Sequence, residues 1–442
     1  MTNPSSLPSH AKALNDRIQQ TICAEVAEIT DVVVCGGGPA GIAAALSAAR
    51  QGARTTLLEA QGCIGGVWTS GSLSLILDSD NKEGIMKEIL ENLRLCGGMG
   101  VTESGKRSNI YDAEKMKFLL EQMASDAGIH IRLHTRIVSA ETNPDRRLTH
   151  VVTESKSGRE AWRAKIFIDA TGDGDLGAQA GCSFSMGRPE NGQTQPMSLM
   201  AMLTGLPPQS VQKYCLGGTD SSPREKLKEL LAKQGVTPSY GAPTLLHVNG
   251  QSFALMANHE YGYNSIRAED LTRATLHARR EINQIVDALR RSGPPWEKVH
   301  LVSTANHIGV REARRIRGRY RVSRDDLVEG RVHNNPICTA TYWADVHSTD
   351  PNSGKTYGSE GTEVKPYQIP LEAAIAADVD GLMMAGRCIS GDFIAHSSYR
   401  VTGNAVEMGE NVGKIAALAA KTNRLPHEVI LPGSESFDTK AS

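Results

Sequence analysis

The chain of 442 residues lacks any strong excess of charge and any long apolar run. Its 48 Lys and Arg residues nearly balance 49 Asp and Glu residues, so the net charge is −1. Near-neutrality argues against a protein dedicated to nucleic acid or to an anionic membrane surface. No apolar stretch approaches the ~20 residues of a membrane-spanning helix, and residues 1–27 lack the apolar segment and twin arginines of an export signal. The sequence therefore predicts a cytoplasmic protein with no nucleic acid and no membrane partner.

The cysteines also lack the spacings that carry redox or metal chemistry. The eight lie at positions 23, 35, 63, 96, 182, 215, 338 and 388. No pair forms C-x-x-C, which argues against a thioredoxin-like dithiol and an iron–sulfur run, and no C-x4-C pair of disulfide reductases occurs. Asn258, His259 and Glu260 fit no standard zinc spacing, so no metal site is predicted. Cys63 and Cys388 are expected to be small buried side chains rather than redox groups.

One segment near the N-terminus has the order of a dinucleotide-binding unit. Residues 31–41 read DVVVCGGGPAG, an apolar run that leads into G-x-G-x-x-G, and a second apolar run ends on Glu59. Gly36 permits the sharp turn, Gly38 lets the backbone approach a pyrophosphate, and Gly41 lets the helix pack on the strand. The helix N-terminus favours phosphate, and Glu59 can accept hydrogen bonds from a ribose. This context predicts a bound adenine dinucleotide.

Three further segments favour FAD over NAD. Residues 62–66 (GCIGG) form a second glycine loop just after Glu59, and residues 166–174 (IFIDATGDG) run from an apolar strand into another glycine turn. Residues 381–387 (GLMMAGR) precede an Ala- and Gly-rich helix that starts near Thr402. The N-terminus of that helix would stabilise negative charge on a reduced flavin ring. Residues 183–365 contain no second G-x-G-x-x-G, so a separate domain for NADPH is not predicted.

With these motifs, the chain resembles the FAD-dependent oxidoreductases with two dinucleotide folds. It is more narrowly similar to the bacterial FAD-dependent oxidoreductase family, which includes flavoprotein subunits of heterodisulfide reductases. The narrower likeness rests on residues 308–316 (IGVREARRI), 386–390 (GRCIS), 398–401 (SYRV) and 408–417 (MGENVGKIAA). It spans about residues 30–421. The absence of cluster-type cysteine spacing separates the chain from the iron–sulfur-linked members.

The resemblance implies a fold and a set of cofactor-binding residues. The expected fold class is α/β, a Rossmann-like FAD-binding domain of the glutathione-reductase type with an inserted α+β substrate domain. The expected contacts to FAD come from Gly36, Gly38, Pro39, Ala40, Gly41, Glu59, Gly65, Gly66, Val138 with Ile137, Ala170, Thr171, Gly172, Gly386, Arg387, Val401 and Thr402. Many relatives carry Asp where Arg387 stands, so only the backbone of Arg387 is expected to serve the ribityl chain.

Composition shifts along the chain suggest the domain boundaries. Residues 1–30 are predicted to be an N-terminal extension, and residues 31–182 the first part of the FAD-binding domain. Residues 183–365, which contain more Pro, His and polar aromatic residues, are predicted to form the substrate domain. Residues 366–421 return to the FAD-binding domain, and residues 422–442 form a polar tail.

Three residues are candidates for the chemistry beside the flavin. His396 and Tyr399 lie between two segments expected to contact FAD, and an imidazole or a phenol can exchange protons with a substrate. The alternative is that both residues tie loop backbone together. Arg311 could bind a substrate carboxylate in bidentate fashion, whereas Glu312, Arg314 and Arg315 suggest a structural ion network.

The function that these features favour is hydride transfer between a small organic substrate and FAD. Two alternatives stay open: a flavin monooxygenase or halogenase, and a flavoprotein subunit that passes electrons to a partner. The tryptophan pair of halogenases is absent, and the context of residues 173–174 lacks the arginine of the hydroxylase motif. A small-molecule substrate, an electron-transfer partner and a homodimer are the expected partners.

Overall fold

The computed structural model of the chain describes residues 21–100, 109–217 and 222–429. Residues 1–20 of the predicted N-terminal extension and residues 430–442 of the predicted tail lie outside the described residues. The described strands are β1 Glu25–Ile29, β2 Val32–Cys35, β3 Thr55–Leu58, β4 His130–Arg132, β5 Arg136–Thr142, β6 Leu148–Ser155, β7 Gly158–Arg163, β8 Ile166–Asp169, β9 Phe184–Ser185, β10 Ala201–Thr204, β11 Thr244–Asn249, β12 Ser252–Met256, β13 His300–Thr304, β14 Arg315–Ile316, β15 Pro336–Ala340, β16 Val346–His347, β17 Tyr357–Gly358, β18 Tyr367–Pro370 and β19 Leu382–Met384. The described α-helices are α1 Pro39–Arg50, α2 Gly84–Leu95, α3 Ala113–Asp126, α4 Asp175–Gln179, α5 Pro208–Val211, α6 Pro223–Lys233, α7 Ala268–Arg291, α8 Arg324–Glu329, α9 Phe393–Tyr399 and α10 Thr402–Thr422.

A parallel five-stranded sheet forms the centre of the first core. Its order is β19-β8-β2-β3-β4, and every neighbouring pair runs in parallel. Every residue of β2, β3, β8 and β19 is buried. Continuous apolar runs such as VVVC suit strands that are covered on both faces. The predicted Rossmann-like α/β class is confirmed.

Helix α10 packs closely on helix α1 because glycines line the contact. A Cβ atom on Gly409 would lie 2.1 Å from the Ala40 carbonyl oxygen, and one on Gly413 would lie 2.3 Å from the Ala44 carbonyl oxygen. Larger residues at either position would push the helices apart. The contact fixes the beginning of α10 beside the first glycine turn. The N-terminal and C-terminal segments that were predicted to bind the cofactor therefore lie next to each other.

A second sheet, in the order β1-β7-β6-β5, lies beside the first. Strand β1 pairs in parallel with β7. Residues 25–29 were predicted to belong to an N-terminal extension, but they form an edge strand of this sheet. Four of the five residues of this edge strand are exposed. Its sequence, EVAEI, therefore lacks the continuous apolar run by which a buried strand can be predicted.

The second core surrounds an antiparallel sheet in the order β11-β12-β10-β13. Its buried residues lie between positions 197 and 313, with Ile110 added from the first part of the chain. This is the expected inserted α+β domain. The chain rejoins the first core at Ile316, earlier than the predicted position 366. Short strands such as β15, which pairs with β18, carry no motif that would reveal this return.

The two longest helices among the described residues are α7, with 24 residues, and α10, with 21. Neither of them, nor any other helix in the described ranges, is long and apolar enough to cross a membrane.

Candidate functional site

A cavity of about 820 Å³ runs between the two cores. One half is lined by backbone of the glycine turns and by the beginning of α10, and the other half by aromatic and charged side chains of the second core and of residues 342–357. An elongated cavity with one backbone-lined half and one side-chain-lined half suits a dinucleotide beside a smaller molecule. We call the two halves the cofactor half and the substrate half.

The glycine turn after β2 opens the cofactor half. Gly36 adopts a φ of 99°, and a Cβ atom there would lie 2.5 Å from the Ala170 carbonyl oxygen. A Cβ atom on Gly38 would meet no atom within 4 Å, whereas one on Gly41 would lie 1.8 Å from the Gly36 carbonyl oxygen. Gly38 lines the cavity and Gly41 does not. Gly38 therefore leaves room for a ligand, while Gly36 and Gly41 hold the turn together.

The residues next to this turn also divide into some that line the cavity and some that only shape the backbone. Pro39 and Ala40, the first residues of α1, line the cavity, as does Gly66 from the second glycine loop. Gly65 does not line it; its φ of 107° instead directs the chain into the loop. A Cβ atom on Gly66 would lie 2.9 Å from the Gly38 Cα atom, so the two glycine loops pack against each other under the ligand space.

Glu59 lies at the cavity wall, at the end of β3. Its Oε2 atom accepts a 2.6 Å hydrogen bond from the Gly37 backbone N–H, and Oε1 accepts one of 2.7 Å from the Gln61 N–H. These bonds orient the carboxylate at the edge of the cofactor half and leave lone pairs for a ribose diol. Beyond it, Ile137 lines the cavity but its neighbour Val138 does not. Arg136 lines the cavity too, so this end of β5 borders the place expected for the adenine.

The third glycine turn follows β8 and is held by a buried carboxylate. Asp169 accepts hydrogen bonds from the Thr171 N–H at 3.0 Å, the Thr171 hydroxyl at 2.7 Å and the Gly177 N–H at 2.8 Å. Burial raises the pKa of Asp169 to about 6, against the effect of these bonds. Ala170, Thr171 and Gly172 line the cavity. Asp169 therefore fixes the turn, which exposes its backbone to the ligand space.

Arg387 places its side chain as well as its backbone at the cofactor half. Its Nη2 atom donates a 3.0 Å hydrogen bond to Asp173, while its Nη1 atom is buried without a hydrogen-bond partner. Arg387 and Gly386 both line the cavity. We had expected only the backbone of Arg387 to serve. A guanidinium with a vacant donor at this point is suited to a pyrophosphate oxygen.

The beginning of α10 closes the cofactor half. Val401 and Thr402 line the cavity, and the Thr402 hydroxyl is buried without a hydrogen-bond partner. The vacant donors of Thr402 and Arg387, the open space beside Gly38 and the N-termini of α1 and α10 are what an extended anionic dinucleotide requires. The residues of this half therefore fit FAD.

Aromatic rings line the substrate half. Tyr240, Tyr342, Trp343 and Tyr357 all contribute to the wall. The Trp343 and Tyr357 rings lie 5.9 Å apart between centroids, and Tyr240 lies 4.3 Å from the ring of His259. Burial raises the pKa of Tyr240 to about 12, so this phenol keeps its proton. Such walls suit an apolar or planar molecule.

Two buried arginines give the substrate half its charge. Arg311 Nη1 donates to the Pro196 carbonyl at 2.7 Å and to the Ser198 hydroxyl at 2.8 Å. Arg400 Nη2 donates to the Asp345 carbonyl oxygen at 2.7 Å, and its Nε atom is buried without a partner. Burial and the charge of Arg400 lower the pKa of Arg311 to about 10, so both groups stay cationic at neutral pH. Both arginines line the cavity.

Asp345 is the carboxylate that faces these arginines in the described structure. Burial alone would raise its pKa, but the hydrogen bond with His347 and the charges of Arg400 and Arg311 lower it to about 2. Gln195 lies beside this group, since its Oε1 atom accepts a 2.9 Å hydrogen bond from the backbone N–H of His347. Two cations facing one anion leave a net positive charge inside the cavity.

A line of hydrogen-bonding rings leads away from Asp345. His347 Nε2 lies 3.3 Å from Asp345 Oδ2, His347 Nδ1 lies 3.1 Å from His259 Nε2, and His259 Nδ1 lies 3.1 Å from the Tyr261 hydroxyl. Burial and the charge of Arg311 lower the pKa of His347 to about 3, and the pKa of His259 is lowered further by the same causes. Both imidazoles are neutral, so each carries one N–H. The consistent assignment is Tyr261 O–H to His259, His259 N–H to His347, and His347 N–H to Asp345.

His396 and Tyr399 lie outside the cavity, which corrects their predicted role in proton transfer. Both belong to α9 and have no exposed surface. The Tyr399 hydroxyl donates to the Ile389 carbonyl at 3.2 Å, and both ring nitrogens of His396 are buried without partners. Burial, then the charge of Arg315, holds the pKa of His396 far below its usual value. Neither residue can reach a substrate in this arrangement.

Of the other side chains predicted from the sequence, some line the cavity and some lie beneath its surface. Arg311 lines the cavity, whereas Arg315 pairs with Glu312 below its surface. Arg314 lines the cavity edge and donates to Asp175 at 2.8 Å. Cys388 is fully buried, with its thiol 3.3 Å from the Asp169 carbonyl oxygen. The arginines after Arg311 therefore form the structural ion network that the sequence suggested.

Sequence reasoning missed Asp345, His347, Tyr240 and Arg400 as wall residues, and His259 as the residue behind them. Arg400 belongs to residues 398–401, on which the family resemblance rests, and it is the one Asp, Glu, Lys or Arg residue between positions 393 and 406, which was a usable signal. Asp345 and His347 lie two residues apart in one segment, but Tyr240 and His259 come from other parts of the chain, and no known motif spacing connects the three places.

A family model and a curated relative match this chain. The model of the family described as FAD dependent oxidoreductase matches residues 31–436. A relative from Methanosarcina barkeri, named as an uncharacterized protein in the nifH2 5′ region, is 27% identical over 169 residues, which is 34% of this chain and 86% of that protein.

Two solved structures show similarity at low identity. A geranylgeranyl bacteriochlorophyll reductase-like protein from Thermoplasma acidophilum is 13% identical, with a TM-score of 0.46 over 90% of this chain and 80% of that one. A flavin-dependent brominase is 11% identical, with a TM-score of 0.47 over 92% of this chain and 82% of that one. The family match covers most of the sequence, and the chain belongs to the FAD-dependent oxidoreductases, with FAD as its cofactor.

Proposed function

We propose that the protein exchanges a hydride with a small organic acid that is bound by its anionic group in the substrate half. The observation that carries this proposal is the pair of buried guanidinium groups of Arg311 and Arg400, which face one carboxylate, Asp345. A buried excess of positive charge is costly unless an anion joins it. A carboxylate can satisfy both the charge and the vacant Nε donor of Arg400.

The remaining wall selects the body of the substrate. Tyr240, Tyr342, Trp343 and Tyr357 offer apolar faces, while Met200 and Met256 line the side nearer the second core. Aromatic faces and flexible methionines suit an aromatic or branched apolar group. We infer that the substrate combines such a group with an acid group, which Arg311 and Arg400 hold at a fixed distance from the beginning of α10.

Bound FAD supplies the two-electron chemistry, as an acceptor or donor of hydride. The chain must handle the accompanying proton. Along the hydrogen-bonded line, each group can pass one proton and receive one: His347 gives its Nε2 proton to Asp345, His259 gives its own to His347, and Tyr261 gives its own to His259. Tyr261 is only half-buried and exchanges with solvent. Asp345 lines the cavity and would pass the proton that it receives to a substrate that is being reduced; oxidation of a substrate would run the same transfers in reverse.

The proposal can be tested by comparing acids with uncharged analogues. The holoprotein would be titrated anaerobically with benzoate and with benzamide, and the perturbation of the flavin absorption would be recorded. A panel of 2-hydroxy and 2-amino acids with aromatic or branched side chains would then be screened for bleaching. We expect benzoate, but not benzamide, to bind, and at least one acid to bleach the flavin.

The matched variants are Arg311→Met, inside the cavity, and Arg279→Met, outside it. Loss of a charge-assisted hydrogen-bonded pair costs about 1.5–3 kcal/mol, so Arg311→Met should weaken benzoate binding by roughly tenfold to hundredfold. Arg279→Met should bind benzoate normally. Equal binding of acid and amide by the unmodified protein would refute the proposal. Rapid bleaching by NADH or NADPH followed by a hydroxylated or halogenated product would support the monooxygenase or halogenase alternative instead.

A further inference from the structure

A cluster of potential metal ligands lies behind the cavity wall, on helix α7. His277 and Glu281 are four residues apart and therefore share one face of the helix. Glu260, from the loop before the helix, reaches the same place. One ligand atom from each residue lies within 4.8 Å of the other two. None of the three lines the cavity, so the cluster is separate from the flavin and substrate sites.

The carboxylate of Glu260 gives this cluster its significance. Its side chain is 1% exposed, and Oε2 lies 2.8 Å from His277 Nδ1. The second oxygen, Oε1, is buried without any hydrogen-bond partner. The hydrogen bond with His277 therefore satisfies only one of the two buried carboxylate oxygens of Glu260. An unsatisfied buried polar atom of this kind requires an explanation, and an ion is one of the few available.

The other two ligands are arranged to receive a cation. Glu281 is held in place because its oxygens accept from the Ser239 N–H at 2.6 Å and the Ser239 hydroxyl at 2.7 Å. These bonds leave lone pairs on both oxygens. His277 is half-exposed and can rotate toward an ion. Two carboxylates also balance the charge of a divalent cation.

We propose that Glu260, His277 and Glu281 bind one Zn²⁺ ion. Zinc takes imidazole nitrogen and carboxylate oxygen, and where the protein supplies three ligands, as here, water completes the tetrahedron. The purely oxygen ligand sets that Mg²⁺ and Ca²⁺ prefer do not match a site with an imidazole. The half-exposed side of the cluster, at His277, leaves space for the water ligand.

The position of Glu260 indicates what the ion would do. Its backbone N–H donates to the Met197 carbonyl at 2.8 Å, which ties the loop to the second core. Its preceding neighbour, His259, forms the middle of the proton line behind the cavity. A metal on Glu260 would anchor this loop to α7 and hold His259 in register with His347. The ion is thus assigned a structural role in the wall, with no part in the electron transfer.

The test uses the intact holoprotein after dialysis against a chelator. Because Cys23 and Cys96 are exposed thiols, both would be replaced by serine to exclude adventitious zinc. Calorimetric titration with Zn²⁺ should then give one site per chain, and the thermal midpoint should rise. Titration with Co²⁺ should give visible bands of a low-symmetry site without thiolate charge-transfer absorption.

Three variants decide the assignment. His277→Ala alters an exposed side chain and Glu281→Gln keeps the shape of a partly buried one, so both should fold and load FAD normally while Zn²⁺ binding weakens by more than about tenfold. Asp287→Asn removes an exposed carboxylate of the same helix and should leave the zinc titration unchanged. The proposal is overturned by an absence of one-to-one binding, or by binding that neither ligand variant weakens. The normal flavin spectrum in every variant separates this outcome from any failure of the proposed function.

Discussion

Replacing Gly38 by alanine should remove FAD without unfolding the protein. Gly38 has φ −67° and ψ −176°, an extended conformation that any residue adopts. A Cβ atom there would meet no protein atom within 4 Å, because it would extend into the cavity. The methyl group would therefore occupy space that the cofactor phosphates need, and it would disturb nothing else.

The expected magnitudes follow from this geometry. Alanine in place of glycine stabilises a chain by ~0.4–1 kcal/mol through the unfolded state, and a poorer residue at the N-cap of α1 costs about the same. The free energy of unfolding of the apoprotein should therefore change by less than about 1 kcal/mol. If the methyl group breaks two charged hydrogen bonds to the pyrophosphate, at ~1.5–3 kcal/mol each, FAD should bind roughly 10²- to 10⁴-fold more weakly.

The assay is a titration of apoprotein with FAD, followed by flavin fluorescence, alongside urea unfolding of the same preparation. Gly358→Ala is the matched control, since a Cβ atom there also meets nothing within 4 Å and the residue lies outside the cavity. Gly41→Ala supplies the opposite case, a clash with the Gly36 carbonyl oxygen that should prevent stable folding. FAD binding by Gly38→Ala with unchanged affinity would show that the pyrophosphate does not lie beside this turn.

Two further predictions concern buried histidines. The neutral His396 should contribute stability that is complete above pH ~6.5 and is lost as the pH falls, by about 1.4 kcal/mol per unit, because only the unfolded chain takes up the proton. His396→Leu should reduce the pH dependence of the unfolding free energy by this amount, as measured by urea unfolding between pH 7 and pH 5, while the buried His259 and His347 keep their own contributions; an unaltered slope would disprove the assignment. His259→Phe interrupts the proton line, so substrate binding should persist while turnover slows and its solvent isotope effect changes. Turnover equal to that of the unmodified protein would remove His259 from the proton path.

The cofactor half was open to prediction because it is made from continuous segments. A phosphate that is bound by backbone N–H groups requires a glycine turn before a helix, and residues 36–41 contain the whole of it. The turn after β8 and the beginning of α10 follow the same logic. The adenine contact near Ile137 and Val138 stays a prediction, since it was expected from backbone and only Ile137 of the two lines the cavity.

His396 shows why position between two cavity-lining segments is a weak argument. The segments before and after it, at Gly386 and at Thr402, do line the cavity. The chain between them forms helix α9, which passes under the surface and buries His396 completely. Seven residues are enough for a helix to turn a polar side chain away from a site that both of its flanks touch. Sequence proximity therefore locates a loop, but it does not locate a side chain.

The substrate half resists prediction for a deeper reason. Its central group joins Gln195, His259, Arg311, Asp345 and Arg400, which come from five separate parts of the chain. A substrate that side chains recognise requires only their final positions, so evolution can supply each group from any element that ends there. Backbone recognition of FAD has no such freedom, because adjacent N–H groups must come from one turn. Sequence motifs therefore predict the cofactor. The substrate depends on how the second core packs against residues 342–357, which no motif predicts.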